Sequence, residues 1–425
     1  MEGFEILTDK PQQFDLDKCV HCGLCLNSCP TYRELGLEMD SPRGRVYQMN
    51  MVAAGAPVTD SYVEHLELCL ACRGCESACP SGVQYGRLIE DARAELEVKR
   101  PRPAHIRWLR RFVFDTLLPS RTLLKLAALN LAVYQKSGLQ QLMRSTGFLK
   151  TLGLDKLDAL SPEAQFPTFF SQYGKVFPAR GERRYKVVLL GGCIANVSFA
   201  RLNEATVRVL QANGCEVHVP DDQTCCGALA LHAGVRSTAR RLATKNVEAL
   251  AGAGFDAIIT NAAGCGSTLK EYDHLLGTEA AKRFTAQVKD INEFLASIEM
   301  RAPTRPLTLR VTYQDSCHLA HGQKIRTAPR KVLNAIPGLT LVEMAGSDIC
   351  CGSAGIYNVV QNEMAMGLLE KKMDSVAATG ADAIATANPG CMIQLAAGAR
   401  MRNTGQPVYH VIELLDQAYG AEEAS

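Results

Sequence analysis

The sequence predicts an α+β multidomain protein, and three observations carry that expectation. Two cysteine runs, each closed by proline, stand near the start; a basic stretch of helical periodicity follows; and a unit with four cysteines occurs twice in the last 240 of 425 residues. That length exceeds what one hydrophobic core usually holds. The expected organisation is an all-α cluster-binding module over residues 1–100, a basic helical linker over 101–184, and repeated α/β cysteine-rich domains over 185–303 and 304–425.

The first run is Cys19, Cys22, Cys25, Cys29 and Pro30; the second is Cys69, Cys72, Cys75, Cys79 and Pro80. Both follow C-x2-C-x2-C-x3-C-P, the ligand pattern of a dicluster ferredoxin module with two [4Fe–4S] clusters, in which the fourth cysteine of each run serves the other cluster. On that rule Cys19, Cys22, Cys25 and Cys79 hold one cluster, and Cys69, Cys72, Cys75 and Cys29 hold the second. Zinc also uses C-x2-C pairs, but it takes its ligands as two separated pairs rather than as compact runs of three plus one. His21, inside the first run, reads as a neighbour of the cluster rather than a ligand.

The 39 residues between the runs read as helix. Ser41-Pro42 supplies a cap and a first-turn proline, and Ser61-Tyr62-Val63-Glu64 resembles a capping box. Arg43 and Arg45 lie between the runs, either to tune the clusters and dock an acidic partner or as solvated charges on a turn.

Net charge is +2 on a balanced composition, which offers no general argument for nucleic acid binding. Residues Met1–Lys10 lack the charge and apolar pattern of a secretory signal. Seventeen cysteines are then expected in the reducing cytoplasm, where they bind metal more often than they form disulfides. No apolar run reaches the roughly 18 residues of a transmembrane helix, so membrane contact is expected to be peripheral.

In the linker, residues 101–150 hold nine Lys or Arg against Asp115 alone. Ile106, Leu109, Val113 and Leu117, then Leu123, Leu124, Ala127 and Leu131, recur at helical spacing. Such basic amphipathic helices either lie on an anionic membrane surface or strap the remaining domains together; the second reading is favoured.

In the first repeat, Cys193, Cys225-Cys226-Gly227 and Cys265 follow one another with gaps of 31 and 38 residues; in the second, Cys317, Cys350-Cys351-Gly352 and Cys391 do so with gaps of 32 and 39. Val187–Leu190, Ala257–Thr260, Val311–Tyr313 and Ala383–Thr386 read as buried parallel strands, and Ala200–Ala212 and Glu363–Ala378 as helices. Ligands of such sheets lie at the carboxyl ends of strands, where Cys193, Cys265, Cys317 and Cys391 fall. Each tetrad is a candidate for a further cluster or metal, for a redox-active disulfide, or for inert buried thiols. Gly227 and Gly352 are expected to let the backbone approach a bulky cofactor. Cys215 reads as a buried small hydrophobe. His318 and His321 are candidates for quinone binding or cluster tuning, against a purely structural role.

The double run, the Ser41–Arg45 segment, the paired Cys-Cys-Gly repeats, Cys351-Gly-Ser-Ala-Gly-Ile-Tyr357 and Thr386-Ala-Asn-Pro-Gly-Cys391 together resemble the iron–sulfur subunit of bacterial glycolate oxidase. The resemblance implies FAD in partner subunits that oxidise glycolate or a related 2-hydroxy acid, electron delivery to quinone or another acceptor, and association with the cytoplasmic face of the inner membrane. No residue presents a catalytic constellation, so the chain reads as an electron-transfer subunit. Related architectures serve D-lactate and anaerobic glycerol-3-phosphate dehydrogenases and heterodisulfide reductase; a zinc-stabilised scaffold is the alternative from another class. Heterodisulfide-reductase-type repeats end in C-x-x-C, whereas this chain has Thr268 and Gln394 at those last positions.

Overall fold

The structure, a computed structural model, describes residues 9–252 and 254–420, so the leader reading of Met1–Lys10 falls almost wholly outside the described residues. Among those residues no strand precedes Lys175. The amino-terminal module is helical, with its core built from Leu16, Val46, Met49, Leu66, Leu88 and Ile89.

Helix Pro42–Ala53 starts as its sequence suggests: the Ser41 Oγ accepts from the Gly44 N–H at 2.9 Å, and Pro42 occupies the first turn. Gly44 is also required by packing, because a Cβ there would overlap the Glu38 carbonyl. The next cap differs from expectation. Thr59, in extended backbone, accepts from the Tyr62 N–H, and helix Asp60–Glu67 already contains Ser61. The side chain just before the first helical residue captures the free amide, so the capping-box pattern two residues later is incidental.

The linker forms helices Ala104–Arg111 and Arg121–Lys136, joined by a π-type turn over Phe112–Leu117, then short helices to Ala159. Its buried seam meets the expected one at Leu124. Phe114, Leu118, Ala128 and Ala132 are buried as well, whereas Leu109 and Ala127 are exposed. Over Phe112–Leu117 the wider turn displaces the periodicity read from a regular helix, which brings Phe114 and Leu118 inward. Phe114, Leu118, Leu124 and Ala128 pack beside Val188, Cys193 and Val197 of the first repeat, and Arg400 of the second repeat donates to the Ala159 carbonyl at 2.9 Å. The linker therefore straps both repeats.

The first sheet contains β1 (Lys175–Phe177), β2 (Tyr185–Leu189), β3 (Cys215–Val219), β4 (Ala257–Thr260) and β5 (Val288–Asp290), in the order β1-β3-β2-β4-β5. All neighbours are parallel except β1 on β3, an added edge strand drawn from the stretch expected to be linker. The second sheet contains β6 (Leu309–Gln314), β7 (Leu339–Val342), β8 (Ala383–Thr386) and β9 (Val408–His410), in the order β7-β6-β8-β9 and fully parallel. Without β1 the two orders are the same. The central strands β4 and β8 are buried at every residue, as expected of strands covered on both faces.

The two units complete each other. Helix Ala200–Ala212 near the start of the first packs on Val411–Tyr419 at the end of the second, and Ile291–Ser297 ending the first packs on Thr327–Asn334 near the start of the second. This reciprocal exchange places an approximate two-fold relation between the repeats and merges their cores. Each closing helix starts with a capping box, Asp290 with Glu293 and His410 with Glu413.

His410 is fully buried, and desolvation lowers its pKa from 6.5 to about 4. The unfolded chain therefore binds more protons than the folded one between those values, and stability falls as pH drops through that window. The contribution of this one residue is about 3 kcal/mol. His410→Asn, which retains a capping side chain, is expected to flatten the decline in denaturation midpoint between pH 6.5 and 4 without abolishing folding at pH 7.5.

Candidate functional site

The ferredoxin-type runs form two loops with the same backbone device. His21 and Gly23 in the first, and Ala71 and Arg73 in the second, adopt positive φ at equivalent positions. Such left-handed residues turn successive amides towards a concavity suited to anionic groups, including iron–sulfur clusters. The Ala71 N–H lies 3.4 Å from Cys69 Sγ, and the His21 backbone plays the same part for Cys19.

The thiols fall into two neighbourhoods. Burial, then repulsion from Cys79 and Cys22 among others, pushes the Cys19 thiol up. For Cys75, burial is followed by repulsion from Cys72, Cys69 and Cys29. Cys29, Cys69, Cys72 and Cys75 line one small cavity with Arg45 and Tyr85. Cys79 thus lies by the first run and Cys29 by the second. These donors fit iron–sulfur clusters: buried thiols with raised pKa remain thiolates only when a cation compensates their charge, and the loop amides face their sulfurs.

Arg45 is not a solvated charge. Its side chain is 1% exposed, donates to Thr31 Oγ1 at 3.0 Å, Asp40 Oδ1 at 3.1 Å and the His65 carbonyl at 2.7 Å, and stands 4.0 Å from Cys29 Sγ. Burial opposes its charge, but Cys69, Tyr85, Cys29 and Asp40 more than offset that. Arg43 instead grips Glu38 through two nitrogens and donates to the His21 carbonyl at 3.0 Å, which pins the first loop. His21 itself is exposed.

His318 and His321 are both contacts to the second loop. His318 Nε2 donates to the Ala71 carbonyl at 3.0 Å, and burial, then His232, lowers its pKa to about 3, so the ring is neutral. His321 Nδ1 pairs with Ser77 Oγ at 2.8 Å and accepts from Arg326, while Nε2 donates to the Asp348 carbonyl. Arg73 reaches Glu271 at 2.9 Å and Ser267 at 3.2 Å, and Tyr357 donates to the Leu68 carbonyl at 2.8 Å. Of these long-range partners, His318 and His321 were singled out in the sequence and Tyr357 lies in the Cys351–Tyr357 segment, whereas Arg73, Ser267 and Glu271 carried no sequence signal.

In each repeat, β2, β3 and β4, or β6, β7 and β8, lead at their carboxyl ends to the cysteines. The thiols neighbour one another in the order Cys193, Cys225, Cys226, Cys265 and Cys317, Cys350, Cys351, Cys391. That proximity and burial push Cys193, Cys350 and Cys391 upward and Cys351 to about 12. Both tetrads line a single cavity of about 420 Å³ between the repeats. Cys350 is also a neighbour of Cys72, which joins the second loop to this cavity. Among the described residues, no group of three or more His, Cys, Asp or Glu side chains is arranged around a single ion.

Gly227 and Gly352 do not serve the expected cofactor approach. Both have positive φ, and what lies against them is helix backbone, at Ala239 and Ala365 respectively. Cys215 is fully buried within β3.

Comparison with known proteins follows the same layout. The 4Fe-4S dicluster domain matches residues 15–83, the cysteine-rich domain matches 187–270 and 311–396, and the linker region of the glycolate oxidase iron-sulfur subunit matches 105–161. The probable glycolate oxidase iron-sulfur subunit of Bacillus subtilis is 39% identical, over 97% of this chain and 96% of its own. The chain belongs to the glycolate oxidase iron–sulfur subunit family. The Escherichia coli glycolate oxidase iron-sulfur subunit is 34% identical over 96% of the chain and 95% of its own. A component of the fumarate reductase (CoM/CoB) of Methanothermobacter marburgensis is 30% identical over 96% of the chain and 74% of its own.

In this family member, Gln394 replaces the last cysteine of the heterodisulfide-type pattern and is fully committed elsewhere. Its Oε1 accepts from Asn358 at 2.9 Å, and its side chain is inaccessible. Thr268 is likewise buried. Arg45→Met is expected to cost about 3 kcal/mol, because buried Asp40 loses its guanidinium and keeps only His65 Nδ1 at 2.9 Å; a thermal melt of the cluster-loaded protein, followed by far-UV circular dichroism, checks this.

Proposed function

We propose that this chain carries electrons through two [4Fe–4S] clusters, one held by Cys19, Cys22, Cys25 and Cys79, the other by Cys69, Cys72, Cys75 and Cys29. Their source is an FAD-bearing partner that oxidises glycolate or a related 2-hydroxy acid. The observation that carries this reading is the exchange of fourth cysteines, with Cys29 among the second run and Cys79 beside the first. Bound there, the clusters supply one-electron transfer, which splits a two-electron oxidation into single steps.

The residues of the chain set where that relay ends. Arg45 places positive charge at Cys29, which favours the reduced form of whatever group that sulfur holds. His318, His321, Arg73 and Tyr357 fix the second loop against the repeats, which brings Cys72 to Cys350. Electrons that reach the second loop are then next to the cavity between the tetrads. A quinone-class acceptor is compatible with that cavity's apolar walls. No helix among the described residues is long and apolar enough to cross a membrane. The linker, however, exposes Trp108, Leu126, Leu129 and Val133 beside its basic residues, a surface suited to peripheral contact with anionic lipid.

Anaerobically purified protein is expected to contain about eight irons with matching sulfide. Cys79→Ala should perturb the electron paramagnetic resonance signal that Cys19→Ala perturbs, and Cys29→Ala the signal that Cys72→Ala perturbs. Grouping of Cys79 with Cys72 instead would rule out the exchange, and a folded, colourless, iron-free preparation would rule out the relay.

A further inference from the structure

The cavity between the repeats combines features that neither a structural seam nor a cluster site requires. Its volume of about 420 Å³ lies within the range of about 300–1,000 Å³ found for small-molecule sites. Leu190, Ile194, Leu229 and Ile356 supply apolar walls. Two imidazoles, His232 from the first repeat and His318 from the second, meet at its lining with ring centroids 5.0 Å apart. His318 is held by the Ala71 carbonyl, between two cysteines of the second loop.

His232 is held differently. Its Nδ1 donates to Glu90 Oε1 at 2.8 Å, and Glu90 is a buried carboxylate on the last helix of the amino-terminal module, Tyr85–Lys99. Burial alone would raise Glu90, but the hydrogen bond and charge of His232, with Arg73 and Arg236, bring it below the ordinary glutamate value. The Arg93 guanidinium donates to the His232 carbonyl at 2.9 Å and fixes the backbone as well. The remaining ring nitrogen, Nε2, is buried and has no hydrogen-bond partner in the protein. Left so, a buried polar atom costs about 1–3 kcal/mol. Once Nε2 is protonated, with Nδ1–H kept on Glu90, a ligand carbonyl in the cavity would accept from it.

We propose that this cavity is the acceptor site of the relay, that it takes a flat, apolar, two-carbonyl acceptor of the quinone class, and that His232, oriented by Glu90, hydrogen-bonds one carbonyl oxygen and delivers the proton. The inference rests on the proposed function, which brings electrons to the second loop. The balance is simple: the quinone gains two electrons, one at a time from the cluster side at Cys72, and two protons, to become the quinol. One proton leaves Nε2 of the doubly protonated His232 ring for the carbonyl oxygen it bonds, which leaves the neutral ring with Nδ1–H on Glu90; the other oxygen takes its proton from solvent, and solvent reprotonates Nε2. No bond to a cysteine forms or breaks. The tetrads line the cavity walls.

The test uses the purified complex with its flavin partner and two acceptors: a short-chain benzoquinone, which needs protons, and ferricyanide, which takes one electron and none. His232→Gln and Glu90→Gln are expected to lower benzoquinone reduction at least tenfold, within the range for loss of a general acid, while ferricyanide reduction stays within twofold. Leu229→Trp, which fills the cavity, should abolish benzoquinone turnover and the binding of a redox-inert quinone analogue, again sparing ferricyanide. Unchanged benzoquinone rates in all three variants, or equal losses with both acceptors, would overturn the proposal. So would disulfide reduction that Leu229→Trp blocks while benzoquinone reduction persists. If the unmodified complex shows no 2-hydroxy-acid-dependent bleaching of its visible absorbance, it is the relay that fails instead.

Discussion

The structure turns on how the loop Cys69–Cys79 is held. Its sulfurs need a cation and its backbone is bent into left-handed residues, so alone it would have little reason to keep its shape. Contacts from outside supply that reason. His318 takes the Ala71 carbonyl, His321 takes Ser77, Glu271 and Ser267 take Arg73, and Tyr357 takes the Leu68 carbonyl. Every one of these partners comes from the repeats, about 190 to 290 residues away in sequence. A cluster-binding loop and a pair of sheets are thereby made into one rigid relay.

That dependence explains what was legible in the sequence. The two runs, the strands and the cysteine tetrads are local patterns, because thiolate spacing and apolar strands at parallel-sheet centres are decided within a few residues. The α+β architecture followed from them. His232, Glu90 and Arg73 were not legible, since their role depends on elements that meet only after three modules dock. His318 and His321 were conspicuous as residues but not as contacts. In the linker, Leu124 was legible, but Phe114 and Leu118 were not: a π-type turn at Phe112–Leu117 changes the angular step on which the periodicity rests. Gly227 and Gly352 matter for a different reason than expected, because a glycine tight against a helix backbone and one facing a cofactor look alike in sequence.

The two arginines of Ser41–Arg45 show how one motif divides its labour. Arg43 stays near the surface and ties down the loop of the first run, whereas Arg45 is buried against Cys29, the cysteine of that run that lies beside the second. Their separation by one glycine, with no room for a Cβ, lets the helix start tightly enough for both to reach. Lysine in place of Arg45 would keep the charge but not the fork that spans Thr31, Asp40 and the His65 carbonyl.

The exchange of helices between the repeats bears on how the chain is made. Helix Ala200–Ala212 finds its partner in helix Val411–Tyr419, and Arg208 pairs with Asp416 at 2.6 Å, 208 residues later. At about 5–20 residues per second, the ribosome exposes the apolar face of that early helix for roughly 10–40 s before its cover emerges. The amino-terminal module, complete in its own helices, has that interval to acquire its metal before the repeats close over its second loop. A nascent chain stalled short of residue 411 would present the same unfinished core, and would be a substrate for chaperones and proteases rather than a smaller working subunit.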